Sequence, residues 1–134
     1  MSVTTANTLT DQDKATVRIA AYGAVSLMAA AGAPRKGIAQ GSIVLTSATG
    51  VVGHVLAAKS RDIRLTGKSV AELADQVFPA LTAAMSLLAE QHPGEADNFR
   101  STVLVAVEAA VQSGKGGPAV AAMARKITEA LDAA

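Results

Sequence analysis

Apolar side chains recur at helical spacing along most of this chain, and the pattern predicts five helices. The first is predicted over residues 11–31. Thr10 can accept hydrogen bonds from the N–H groups of its first turn, and Gly32 and Pro34 follow its last residue. Because its larger side chains are spread around the cylinder, this helix is expected to be mostly covered by the rest of the protein.

Three further helices are predicted in the second half of the chain. Ser69 and Glu72 have the spacing of a capping box, which starts a helix over 70–91 with the cleanest apolar stripe of the sequence. A second helix is predicted over 95–113, and a third begins at Pro118, since proline is well suited to a first helical position. The connections between these helices are short.

The segment 37–58 carries no charged residue and is rich in β-branched side chains, which fits either a strand or a helix. A half-buried strand requires alternating apolar and polar residues, and the run 42–46, SIVLT, does not alternate. At helical spacing, most of the apolar residues fall on one stripe and the small polar residues fall on the other side. We therefore predict one continuous helix over this segment.

Together these elements predict an all-α fold, a compact bundle of about five helices with short loops. Residues 1–9 are polar and unpatterned and are expected to form a flexible N-terminal tail, followed by a single all-helical domain over 10–134. The chain has 134 residues, with thirty alanines, one tyrosine and two phenylalanines. Its core must therefore be built from small aliphatic side chains at close approach.

Charge is unevenly distributed although the formal net charge is only +1. Residues 1–69 carry eight basic and three acidic side chains, whereas residues 70–113 carry one basic and six acidic ones. The basic connector 59–68 is interpreted as a solvated loop or as an anion-binding patch. No aromatic residue is interleaved with it, so nucleic-acid binding is not expected. The N-terminus lacks the features of a secretory signal, and a cytoplasmic location is expected.

Several chemistries are not supported by the sequence. Without cysteine, and with only two histidines far apart, neither a metal site nor a cofactor is predicted. The string 43–53, IVLTSATGVVG, resembles the strand-turn-helix opening of short-chain dehydrogenases, which would imply dinucleotide binding on a parallel sheet. Ser47 stands where that pattern has its first glycine, and no later strands are predicted. We interpret the string as part of a packed helix.

Four residues are candidates for a small-molecule site. His54 lies on the small polar side of the predicted helix 37–58, in line with Gln40 and Ser47 at seven-residue spacing. A histidine beside a hydroxyl such as that of Ser47 or Tyr22 can act as a general base. The other interpretation is an ordinary hydrogen-bonded histidine at a surface or interface. No catalytic residue is assigned, and the sequence does not identify a ligand.

The absence of charge on either side of the helix 37–58 is the most informative feature, because an exposed helix face normally carries charges. Helix one offers a partner face through Ala20, Gly23, Ala24 and Ala31, and the remainder must be covered either by the later helices or by a second chain, of which we favour the second chain. We therefore predict a homodimer with an interface centred on helices one and two. The helix 37–58 would contribute a face of small residues to this interface, namely Ser42, Thr46, Thr49, Gly50, Gly53 and Ala57.

The predicted function is that of a non-catalytic, self-associating interaction or scaffold protein. The alternative is a small-molecule or nucleotide-binding protein or enzyme, with a pocket near His54, Tyr22 and Ser47. A transmembrane hairpin over 19–58 is a further alternative, but its first run is short for a bilayer and its second is rich in Ser, Thr and Gly. No membrane association is therefore expected.

Overall fold

The computed structural model describes residues 9–57, 69–112 and 117–134, and within them the fold is entirely helical. Six helices pack together in these ranges. In chain order they are α1 (Asp11–Ala31), α2 (Arg35–Thr46), α3 (Gly50–Ala57), α4 (Val70–Gln91), α5 (Pro93–Gln112) and α6 (Gly117–Asp132). The all-α prediction is confirmed. The basic connector 59–68 and most of the predicted tail 1–9 lie outside the described residues, but Leu9 is described and is buried.

Helix α1 begins and ends where the sequence predicts, and for the predicted reasons. The Thr10 hydroxyl accepts from the backbone N–H of Asp13 at 3.0 Å, and the Asp13 carboxylate accepts from the Thr10 N–H at 3.2 Å. At the other end Gly32 adopts φ +113°, and its N–H donates to the carbonyls of Ala29 and Met28. A left-handed residue of this kind ends a helix at low steric cost when it is glycine.

The prediction of one continuous helix over 37–58 is wrong. The chain forms α2 and α3, bent by 120° at a break between Thr46 and Gly50. The Thr46 hydroxyl donates to the carbonyls of Ser42 and Ile43, a local bond that competes with regular helix geometry. Gly50 then adopts φ +75°, which turns the chain into α3. Helical spacing on both sides of a break looks the same as one long stripe, so periodicity did not reveal it.

Helix α1 lies at the centre of the bundle and contacts each of the other five helices. Helix α4 lies along α1, and α2 lies along α5. The core is made almost entirely of aliphatic side chains, as the composition predicts. Its largest fully buried members are Phe99, Leu27, Met28, Leu45, Leu56, Leu81, Leu88, Ile127, Leu131, Val17, Val52 and Val77.

Small residues allow helix backbones to approach closely, but the pairs of helices involved differ from the predicted pairing of helix one with the segment 37–58. A Cβ added at Gly23 of α1 would lie 2.5 Å from the Cγ2 atom of Val77, so this position packs against α4. A Cβ at Gly41 of α2 would lie 2.9 Å from the Ala106 carbonyl oxygen, so this position packs against α5. The closest approaches are therefore α1 to α4 and α2 to α5.

The later helices follow the sequence prediction closely. The Ser69 hydroxyl accepts from the Glu72 backbone N–H at the start of α4, and α4 ends at Gln91. Because His92 alone separates α4 from α5, the two helices form a tight corner. Helix α6 turns Val120, Met123, Ile127 and Leu131 toward the core.

Candidate functional site

The candidate site surrounds α3, an eight-residue helix without Asp, Glu, Lys or Arg. Two side chains of α1 contact its C-terminal end. Arg18 is 6% exposed, and its guanidinium donates from Nη1 to the Val55 carbonyl at 3.5 Å. The Tyr22 hydroxyl donates to the Leu56 carbonyl at 2.7 Å. The last carbonyls of a helix lack partners within it, and a cation at this end is favourable.

The N-terminal end of α3 is held by the first turns of α5. The Glu95 carboxylate accepts from the Val52 N–H at 2.9 Å, placing a negative charge at the positive end of the helix. The Asn98 side-chain amide donates to the Thr49 carbonyl at 2.8 Å and to Glu95 at 3.2 Å. Side chains of two other helices thus supply hydrogen-bonding partners at both ends of α3.

The Tyr22 hydroxyl differs electrostatically from a solvated phenol. Its burial raises the pKa, because the charged phenolate is poorly solvated there, and the neighbouring Arg18 guanidinium partly opposes that rise. The neutral hydroxyl is therefore the form that bonds to α3.

A cleft with a volume of about 380 Å³ lies beside α3. Its walls come from the start of α1, from α3 and from the corner between α4 and α5. Lys14, His54 and His92 contribute the basic groups, and among the described residues no acidic side chain lines the cleft. The remaining lining residues are Leu9, Gly50, Val51 and Val55.

A second depression, of about 390 Å³, lies between α2 and α5, and we refer to it as the α2–α5 groove. The two helices run antiparallel, since Gly41 contacts Ala106 while Thr49, further along the chain, is bonded to Asn98. No charged side chain from the described part of the chain lines the groove. Its lining residues are Ile43, Val44, Ser47, Ala48, Thr49, Asn98, Ser101, Thr102 and Val105.

The four predicted ligand-binding residues do not come together in one site. His54 is exposed and lines the cleft, whereas Ser47 lines the α2–α5 groove, which shares no lining residue with the cleft. The Tyr22 hydroxyl is bonded to α3, and Gln40 is exposed on α2. The seven-residue alignment of Gln40, Ser47 and His54 depended on a continuous helix, which the break removes.

The six residues predicted for self-association are likewise not on one helix face, since the break separates them. Ser42 and Thr46 lie on α2, Thr49 lies in the break and lines the α2–α5 groove, and Gly50 and Ala57 are exposed on α3. Gly53 is buried, and a Cβ there would meet the Ala48 carbonyl of the preceding turn. Its small size is therefore required within the chain itself.

Sequence reasoning missed three residues of this region. Lys14 and His92 line the cleft with His54, and Glu95 holds α3. Lys14 and Glu95 look like ordinary charged residues in the first turns of two helices, and His92 looks like part of a turn. No local signal connects them with residues 50–55, because the contacts arise only when the helices pack.

Two negative findings concern the described residues. No three His, Cys, Asp or Glu side chains within 9–57, 69–112 and 117–134 form a group that could hold a metal ion. In the same ranges no single helix has the length and hydropathy required to cross a membrane. Helices α2 and α3, joined by their 120° bend, meet both criteria only when they are counted together.

Comparison of the chain with protein-family models, with curated proteins and with solved structures gave no match. The geometry of the bundle is therefore the basis for a functional proposal.

Proposed function

We propose that this protein is a self-associating interaction module, without catalytic activity, in which two copies pack through the α2–α5 groove as a symmetric dimer. The observation that carries the proposal is the position of its exposed apolar side chains. Within the described residues three large hydrophobic side chains are strongly exposed, and two of them, Ile43 at 56% and Val105 at 55%, lie in this groove. Covering both would remove apolar surface from water, which favours association.

The absence of charge in the groove favours a second copy of the chain as the occupant. In a twofold-symmetric dimer the same patch is present on both sides, so a charged patch would face its own copy and repel it. Hydroxyl groups can instead donate and accept across the axis, and Ser101 and Ser47 provide them around Ile43 and Val105. The side-chain oxygen of Asn98 can also accept there. An interface of this composition is self-complementary.

The proposal is tested by sedimentation velocity on the wild type and on Val105→Glu at micromolar concentration. The wild type is expected to be a dimer. Because Val105 is exposed in the single chain, Val105→Glu should cost the isolated fold no more than about 0.5 kcal/mol, and its helical circular dichroism should be retained. The variant is expected to be a folded monomer, because two carboxylates would face each other across the twofold axis.

Val70→Glu is the matched control, since Val70 is the third exposed large hydrophobic residue, at 42%, and it lies on α4 outside the groove. This variant should remain dimeric. A monomeric wild type would refute the proposal, and so would a dimer that is dissociated by Val70→Glu but not by Val105→Glu.

A further inference from the structure

The cleft beside α3 contains both histidines of the chain, together with Lys14. These residues belong to three separate parts of the fold: Lys14 to α1, His54 to α3 and His92 to the corner between α4 and α5. The bundle thus brings three nitrogen donors to the wall of one cleft, although they are distant in sequence. A neutral imidazole still carries one N–H, so His54 can donate in either protonation state.

Two carboxylates next to residues of the cleft are occupied by contacts within the protein. Asp13, beside Lys14 in sequence, accepts from the Thr10 N–H and from the Gln91 side-chain amide. Glu95, whose carboxylate lies close to Gly50, accepts from the Val52 N–H and from Asn98. Neither carboxylate lines the cleft. The wall that a ligand would meet is therefore basic, even though acidic residues lie nearby.

The rest of the cleft is apolar. The side chains of Leu9, Val51 and Val55 line it, and Leu9 and Val55 are buried in the core on their other sides. A volume of about 380 Å³ lies in the range typical of small-molecule sites and is sufficient for an anionic group attached to a ring or a short aliphatic body.

We propose that this cleft binds a small organic phosphate monoester, with the phosphate against the wall of Lys14, His54 and His92 and the organic part against Leu9, Val51 and Val55. A phosphate monoester carries more negative charge near neutral pH than a carboxylate and has three strong acceptor oxygens, so it suits a wall with several basic side chains better. The site is separate from the α2–α5 groove, so phosphate binding and self-association are independent properties.

The test uses phenyl phosphate as the probe and the imidazole resonances of the chain as the readout. Because the only two histidines both line the cleft, every imidazole signal in the NMR spectrum reports on this site. Titration of the full chain with phenyl phosphate should shift the signals of His54 and His92 in a saturable manner. Inorganic phosphate should bind more weakly, because it makes no contact with the apolar wall.

Lys14→Gln should weaken binding of phenyl phosphate by about tenfold, the effect of losing one charge-assisted contact. His54→Gln, at an exposed position, should also weaken binding and leaves His92 as the reporter. Lys36→Gln is the matched control, since Lys36 is an exposed lysine on α2 outside the cleft, and it should bind as the wild type does.

Three results would overturn the proposal. The first is the absence of a saturable shift. The second is an equal shift on adding sodium chloride at the same ionic strength, which would show charge screening alone. The third is an unchanged affinity in Lys14→Gln, provided that its circular dichroism shows it to be folded. Equal affinity for inorganic phosphate and phenyl phosphate would overturn the assignment of an organic part.

Discussion

Helices α3 and α4 are kept in place by different kinds of interaction. Helix α4 buries Val77, Leu81, Ala84 and Leu88 along one stripe, and its first turn is capped by the adjacent Ser69. Helix α3 also buries apolar residues, but hydrogen bonds from α1 and α5 reach both of its ends. The cap and the buried stripe of α4 are thus encoded in adjacent sequence, whereas both ends of α3 depend on polar side chains far away in the chain.

This difference predicts different responses to mutation. Loss of a buried side chain in α4 should lower the stability of the whole bundle, because the core is shared by all helices. Loss of an end contact of α3 should act mainly on α3 and its neighbours, as expected for a short element that opens locally.

The largest effect is expected for Leu81→Ala. Leu81 is fully buried, and its truncation leaves a cavity between α4 and its neighbours, so the free energy of unfolding should fall by about 2–5 kcal/mol. Urea denaturation followed by circular dichroism measures the loss. On the same helix, Val70→Ala changes an exposed side chain and should cost no more than about 0.5 kcal/mol. Equal losses in the two variants would contradict the described burial of α4.

An intermediate effect is expected for Glu95→Ala. The substitution removes the carboxylate that accepts from the Val52 N–H, and a lost cap of this kind costs about 1–2 kcal/mol. Hydrogen exchange should accelerate for the amides of α3 and much less for those of α4.

Glu108→Ala provides the control for that experiment. Glu108 is exposed on the same helix, and its carboxylate accepts from the nearby Gln112 side chain. Its loss should leave exchange in α3 unchanged. Uniform acceleration across α3 and α4 in Glu95→Ala would show that α3 does not open separately.

The smallest effect is expected for Tyr22→Phe, which removes the hydroxyl bonded to the Leu56 carbonyl and should cost about 1 kcal/mol near neutral pH. The effect depends on pH. Since burial raises the pKa of Tyr22 in the folded state, its contribution is complete below the ordinary value of 10.0 and is lost as the pH rises through the folded value. The advantage of the wild type over Tyr22→Phe should therefore shrink above pH 10.0.

This prediction can be measured on a single group, because Tyr22 is the only tyrosine of the chain. Near-ultraviolet absorbance of the tyrosinate should give a higher midpoint for the folded protein than for the chain unfolded in urea. A folded midpoint at or below the unfolded one would mean that the Arg18 guanidinium outweighs the burial.

Much of the fold could be predicted because its signals are local. Thr10 and Gly32 lie directly at the ends of α1, and Ser69 lies directly before α4. The break between α2 and α3 could not be predicted in the same way. Its residues Thr46 and Gly50 fit a packed helix as well as a turn, and the contacts that complete the turn come from Glu95 and Asn98.

The candidate sites were predictable only in part, for the same physical reason. His54 was identified as a candidate because a lone histidine among small residues is conspicuous, and it lines the cleft. Lys14 and His92, which line the same cleft, were not identified. Each lies about 40 residues from His54 in the sequence, and only helix packing brings the three together. Exposed positions such as Ile43 and Val105 belong to apolar stretches, so hydropathy alone predicts burial for them.

The end contacts of α3 also have a consequence for the order in which the protein assembles during synthesis. The partners of Val55 and Leu56 lie 37 and 34 residues earlier in the chain and are present when α3 emerges from the ribosome. The partners of Val52 and Thr49 lie 43 and 49 residues later. Until Glu95 has been added, the start of α3 has neither partner, and its amide partner follows only with Asn98. The α2–α3 corner can therefore be completed only after α5 has begun to form.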